Sequence, residues 1–121
     1  MEAILDSSFI ISCAKRKIDF ISQLENLGFR IVIPREVLQE MKDLRQKVNR
    51  DERAAIDMAL LVIESKDVKK VGFGSGRVDE QLIKKGKEGY YIATLDNAIK
   101  RAVPNKIFIS NAKNMIEVQR E

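Results

Sequence analysis

Residues 88–100 read Glu88-Gly89-Tyr90-Tyr91-Ile92-Ala93-Thr94-Leu95-Asp96-Asn97-Ala98-Ile99-Lys100. Residues 90–94 form a short apolar run with strand character. Residues 97–103 then have the length and spacing of a short helix, with the polar link Thr94-Leu95-Asp96-Asn97 between them. A buried strand that runs into a helix is half of a βαβ unit, which joins parallel strands. Outward toward the N-terminus, Gly89 stops a helix over residues 78–87, and Gly72-Phe73-Gly74-Ser75-Gly76 before it reads as a loop. Toward the C-terminus, Pro104-Asn105 makes a turn into a strand over 106–110, and the tail to Glu121 adds a short helix or an edge strand.

The same alternation extends to the start of the chain. Residues 3–5 read as a buried strand ending at Asp6, with Ser7 or Ser8 capping a helix that carries Phe9, Ile10, Cys13 and Ala14. A second helix covers residues 18–27 and stops at Gly28. A strand follows over 29–33, then a helix opened by Pro34 in which Val37, Met41, Leu44 and Val48 recur at helical spacing. Asn49 or Asp51 caps the next helix, over 52–64, and 67–71 is a weak strand. The order β-α-α-β-α-α-β-α-β-α-β predicts a single domain over residues 1–121. Its expected fold is a three-layer α/β/α arrangement around a five-stranded parallel sheet.

Composition narrows the chemistry. The chain has 121 residues, 45% of them hydrophobic and 33% charged, enough to bury one core and too short for two. It contains no histidine, which removes imidazole bases and His-ligated zinc. Its one cysteine, Cys13, excludes an internal disulfide and reads as a small buried helix residue. No apolar run has the length of a membrane span, and the acidic start lacks the basic region of a signal peptide, so a cytoplasmic location is expected. The net charge of +4 permits a polyanionic partner. The basic stretches at Lys15-Arg16-Lys17, 42–53, 84–87 and Lys100-Arg101 are scattered over several elements and read as solvated helix faces.

In an open parallel sheet, ligands bind beyond the carboxyl ends of the strands. Asp6 ends the first strand, Asp96 follows the fourth, Asp79 opens the helix after the third, and Glu40 lies about two turns into the helix after the second. At about 100° per residue, Glu40 falls roughly 70° from the centre of the buried stripe, against roughly 110° for Glu36 and 130° for Asp43. Taken singly, the three aspartates read as helix caps and Glu40 as a solvated helix residue. Together they fall on one sheet edge after four different strands. Carboxylates gathered there repel one another unless cations neutralise them, and Mg²⁺ or Mn²⁺ are the oxygen-seeking choices. Such ions serve phosphoryl displacement.

The segments Ile4-Leu5-Asp6-Ser7-Ser8-Phe9-Ile10, Ile33-Pro34-Arg35-Glu36-Val37-Leu38-Gln39-Glu40-Met41, Val78-Asp79-Glu80-Gln81-Leu82-Ile83 and Tyr91-Ile92-Ala93-Thr94-Leu95-Asp96-Asn97-Ala98-Ile99-Lys100 together resemble a PIN domain, a small metal-dependent ribonuclease fold. The resemblance runs from Ala3 to about Val118. It implies a Mg²⁺ or Mn²⁺ site made by Asp6, Glu40, Asp79 and Asp96, all four catalytic. It also implies carboxylate-orienting roles for Ser7, Thr94 and, more weakly, Asn97, with Glu80 either helping Asp79 or facing solvent. The implied activity is endonucleolytic cleavage of RNA that leaves a 5′-phosphate and a 3′-hydroxyl. The family includes toxins of toxin–antitoxin pairs, often dimeric, and proteins of ribosome maturation. The implied partners are therefore RNA, a second copy of the chain, and an antitoxin or a ribosomal precursor particle.

Other readings fit less well. A receiver domain needs a paired acid where Ser7 and Ser8 stand, and a haloacid-dehalogenase-type phosphatase needs D-x-D where position 8 is Ser. The Gly72–Arg77 stretch has neither a Walker nor a G-x-G-x-x-G spacing and reads as a connector, with Arg77 beside Asp79 as a candidate RNA contact. One of Tyr90 and Tyr91 should be core. The helix over 52–64 carries more apolar residues than one face needs, with Met58, Leu61 and Val62 beyond the main stripe. The expected outlet is a neighbouring helix, with a homodimer surface as the alternative. A non-catalytic RNA-binding or protein-docking scaffold is the second functional class.

Overall fold

A computed structural model describes residues 1–121. Six strands form one sheet in the order β3-β2-β1-β4-β5-β6: β1 (Glu2–Leu5), β2 (Arg30–Pro34), β3 (Lys69–Val71), β4 (Tyr91–Ala93), β5 (Lys106–Ser110) and β6 (Met115–Gln119). The first five pair in parallel, and β6 pairs antiparallel with β5 from Lys106↔Gln119 to Ser110↔Met115. The expected sheet of five parallel strands is therefore corrected to a mixed sheet of six. The physical reason is the tight turn after β5. Asn114 N–H donates to Ser110 O at 2.8 Å, Asn114 takes a left-handed φ of 51°, and the chain reverses with no crossover helix.

The helices are α1 (Ser7–Lys15), α2 (Phe20–Asn26), α3 (Arg35–Leu44), α4 (Arg50–Ser65), α5 (Val78–Lys87) and α6 (Asn97–Ala102). Side chains alternate along each strand and create two apolar layers. One is a large cluster in which Ala3, Leu5, Ile31, Ile33, Ala93, Ile107 and Ile109 meet residues of α1 to α4, among them Phe9, Leu24, Met41 and Ile56. The other face contributes Ile4, Val32 and Ile92, which pack with Leu82 of α5, Ile99 of α6 and Val103. Fully burying one such aliphatic side chain stabilises the fold by roughly 1.5–3 kcal/mol. These layers fix where each helix begins, and so where each polar residue at the sheet edge lies. No helix is long and apolar enough to cross a membrane.

Several boundaries differ from the periodicity reading. Asp6, not Ser7 or Ser8, caps α1. Lys17 adopts a left-handed φ of 58°, which breaks the chain after α1 and delays α2 to Phe20. The helix α3 ends at Leu44, so Val48 is not on its stripe, and Leu44 itself is left exposed. Asn49, not Asp51, caps α4 through Glu52 N–H at 2.9 Å. On α4, Val62 packs against the core, but Met58 and Leu61 are 58% and 63% exposed. The expected neighbouring helix does not cover these two.

Candidate acidic centre at the sheet edge

The strand order reverses at β1, which lies between β2 and β4. Ligand crevices of open sheets form at such a switch point. Asp6 leaves β1 there and is 8% exposed, while Thr94 leaves β4 beside it and is wholly buried. Asp6 N–H donates to Ala93 O at 2.9 Å, which continues the β1–β4 ladder and aims the carboxylate past the end of the sheet.

A network of hydroxyls holds that carboxylate. Thr94 Oγ1 donates to Asp6 Oδ2 at 2.7 Å and Ser8 Oγ donates to the same oxygen at 3.1 Å. Ser7 N–H donates to Asp6 Oδ1 at 2.8 Å. The hydroxyls are themselves oriented, because Ser8 Oγ accepts from Leu95 N–H and Thr94 Oγ1 accepts from Asp96 N–H, both at 3.1 Å. A carboxylate has about four acceptor positions. Three are filled here, and one on Oδ1 stays free.

The other acids join from three helices. Asp6, Glu40, Asp79 and Asp96 all line one cleft of 580 Å³, together with Ser7, Ser8 and Arg77. Glu40 Oε1 accepts from Ser7 Oγ at 3.3 Å, and its Oε2 has no protein partner. Its carboxyl is held above the ordinary value, first by partial burial and then by the negative charges of Asp6 and, less, Asp79, against the lowering effect of Ser7. Asp79, in the first turn of α5, accepts Glu80 N–H on Oδ1 and keeps Oδ2 3.5 Å from the exposed guanidinium of Arg77. Asp96 caps α6 through Oδ1, which accepts Ala98 and Ile99 N–H groups, and its Oδ2 is free. The capping and cleft readings thus hold at once: Asp96 caps with one oxygen and leaves the other free, while Asp6 Oδ1 caps α1 and keeps one acceptor position open.

The donor set is all oxygen, anionic and partly unsatisfied, which suits a hard divalent cation. No three of the carboxylates stand close enough to form a ready-made ligating group.

Ser7 bridges Asp6 and Glu40, and Thr94 supports Asp6 from below. Asn97 lies elsewhere: it is exposed and lines a separate cavity with Lys100, Arg101, Lys106, Phe108 and Gln119. Glu80 is exposed, and Tyr91 is the core tyrosine.

Two residues escaped the sequence reading. Ser8 has the central hydroxyl of the network. Its signal was its place two residues after Asp6, but its contacts to Thr94 and Leu95 span more than eighty positions. Glu36 turns away from the acids and accepts Phe73 N–H on both oxygens, at 3.1 and 3.0 Å, and Gly74 N–H at 3.2 Å. It tethers the loop that leads to Arg77 and Asp79. Compared with protein-family models and with curated proteins, the chain matches none.

Proposed function

We propose that the chain is a PIN-like, divalent-metal-dependent endoribonuclease. One observation carries the reading: Asp6, Glu40, Asp79 and Asp96, from four separate elements, line a single cleft at the switch point of the sheet. The raised carboxyl of Glu40 supports it, since partial burial and then the negative charges of Asp6 and Asp79 hold it up, in a cleft whose one lining cation is Arg77. Asp6, Glu40, Asp79 and Asp96 would hold Mg²⁺ or Mn²⁺, which when bound supplies charge stabilisation and an activated water for phosphodiester hydrolysis. Ser7, Ser8 and Thr94 fix the orientation of the Asp6 carboxylate, and orienting partners of this kind typically affect metal affinity or activity 10–100-fold. Arg77 sits where it can meet a phosphate. RNA is the proposed substrate, in the cytoplasm, either as the toxin of a toxin–antitoxin pair or on a ribosomal precursor particle. The exposed Met58 and Leu61 are the proposed self-association surface.

A second reading, an RNA-binding or protein-docking scaffold without catalysis, draws on the use of Asp96 Oδ1 in capping and of Asp6 Oδ2 in bonds to Thr94 and Ser8. End-labelled single-stranded and hairpin RNA, incubated with Mg²⁺, Mn²⁺ or EDTA, separates the two. A nuclease cuts only with metal and leaves 5′-phosphates. A scaffold retains the RNA uncut under all three conditions.

A further inference from the structure

A second cavity, of 590 Å³, adjoins the acidic cleft and shares Ser7 and Ser8 with it. It runs along α1 past Ile11 and Ser12 to Lys15 and Arg16, with Leu44 and Glu52 on the opposite wall. Its charge is opposite to that of the cleft, with two cations against the single carboxylate of Glu52. Lys15 Nζ lies 3.9 Å from Glu52 Oε1 and both are partly exposed, so this pair is weak.

Arg16 is the unusual member. No carboxylate pairs with it. Its guanidinium is held by three neutral oxygens: Nε donates to Ser12 Oγ at 3.3 Å, Nη1 to Asn114 Oδ1 at 3.1 Å, and Nη2 to Asn111 Oδ1. These bonds fix the side chain but leave its charge unneutralised, and they use three of its five N–H donors. An immobilised, uncompensated arginine is pre-organised for an anion, because its ordering entropy is spent before the ligand arrives. The exposed Leu44 adds an apolar contact on the opposite wall of the same groove.

The geometry points to this groove as the path of the single-stranded RNA flanking the cut, with Arg16 binding a backbone phosphate and Lys15 adding charge. Helical rise places Arg16 about 12 Å along α1 from Ser8, beyond the phosphate at the acids. The assignment rests on the ribonuclease reading for its substrate and on the groove for its route.

The test is binding of a fluorescein-labelled 12-nucleotide single-stranded RNA by the full chain in EDTA, over a series of salt concentrations, beside cleavage in Mn²⁺. Arg16→Gln is expected to weaken binding about fivefold or more and to lower the slope of log K against log salt by about 0.7. Arg16→Lys keeps most of the slope, which a purely structural tether between α1 and the Asn111–Asn114 turn would not do. Lys15→Glu, on a side chain with no structural partner beyond the weak Glu52 pair, weakens binding in the same direction and covers the case of an unfolded Arg16→Gln protein. Arg30→Gln, at the far end of the sheet, leaves the slope unchanged. RNA affinity within twofold of wild type in both Arg16→Gln and Lys15→Glu overturns the groove, even if cleavage persists. Affinity lost in both, in a wild type that binds RNA without cutting it, upholds the groove and removes the nuclease. A wild type that binds no RNA removes both. Unchanged RNA affinity with lost affinity for a polyglutamate peptide overturns the RNA path in favour of an acidic protein.

Discussion

Thr94 Oγ1 donates a 2.7 Å hydrogen bond to Asp6 Oδ2, joining the ends of β4 and β1 across the switch point of the sheet. The hydroxyl is completely buried and also accepts from Asp96 N–H, so one side chain sets both the carboxylate of β1 and the entry to α6. Thr94→Val preserves shape but removes the shorter of the two hydroxyl bonds to Asp6 Oδ2, leaving only Ser8, and takes the acceptor from Asp96 N–H. A bond to a charged group is worth roughly 1.5–3 kcal/mol. Thr94→Val should therefore lose about 2 kcal/mol in denaturant unfolding and at least tenfold in metal-dependent cleavage, with Thr94→Ser recovering most of both.

The raised carboxyl of Glu40 has a consequence for stability. The folded state holds the proton more tightly than the unfolded state, so stability falls as pH rises through this range. Above the raised folded value the carboxylate is charged in both states, and the cost of its partial burial and the repulsion from Asp6 and Asp79 are fully felt. Below the ordinary value it is protonated in both, and the penalty vanishes. Glu40→Gln should melt at a higher temperature than wild type at neutral pH, with the difference closing as the solution is acidified. Cleavage should fall at the same time, so a more stable and less active protein is the expected pair of results.

Glu36 behaves with the opposite sign. The Phe73 N–H bond leads in holding its carboxyl below the ordinary value, helped by its own backbone N–H, Gly74 and Arg35. That stability is present above the ordinary carboxylate value and is lost as pH falls through the lowered one. Glu36→Gln should cost about 1 kcal/mol, the exposed setting keeping it near the low end for a charged hydrogen bond. Amide exchange at Phe73 and Gly74 is the direct readout and should accelerate. If the tether positions Arg77 and Asp79, cleavage drops several-fold, more than a fall of a few degrees in melting temperature explains.

Gly86 lies in α5 where the helix meets the next layer. A Cβ there would collide with Val103 Cγ1 and Cβ and stand 3.1 Å from Ile92 Cγ1. Alanine gains about 1 kcal/mol over glycine in a helix, but overpacking a tight contact costs roughly 1–3 kcal/mol. Gly86→Ala should lower the melting temperature. It should also shift α5, and with it Asp79, which a loss of activity larger than the loss of stability would report.

The sequence was most readable where local signals and tertiary packing agree. The helix over 78–87 and the strand over 106–110 have the expected limits, because Gly89, Pro104 and the turn residues stop them from outside. The acids were legible as a set because each follows a strand, and strand ends share an edge in a parallel sheet. The last strand was legible only as one of two options, helix or edge strand, since Met115–Gln119 is a half-polar edge whose pairing depends on the Asn114 turn rather than on its own pattern. Helical angle picked out Glu40 as the acid of α3 that reaches the cleft, but no periodicity could show that Glu36 meets the backbone of Phe73. The role of Ser8 is likewise tertiary: its hydroxyl is defined by Thr94 and Leu95, which the fold brings to it. Asn97 has the right neighbours in the chain and the wrong direction in space.

The most direct measurement is calorimetric titration of Mn²⁺ into the wild-type protein, Asp6→Asn and Asp96→Asn. Saturable binding that is weakened at least tenfold in both variants is the predicted result, with Asp6→Asn the more severe because that carboxylate is buried and fixed by three donors. Binding that is absent from the folded wild type, or equal in all three proteins, would contradict a metal centre built from these acids.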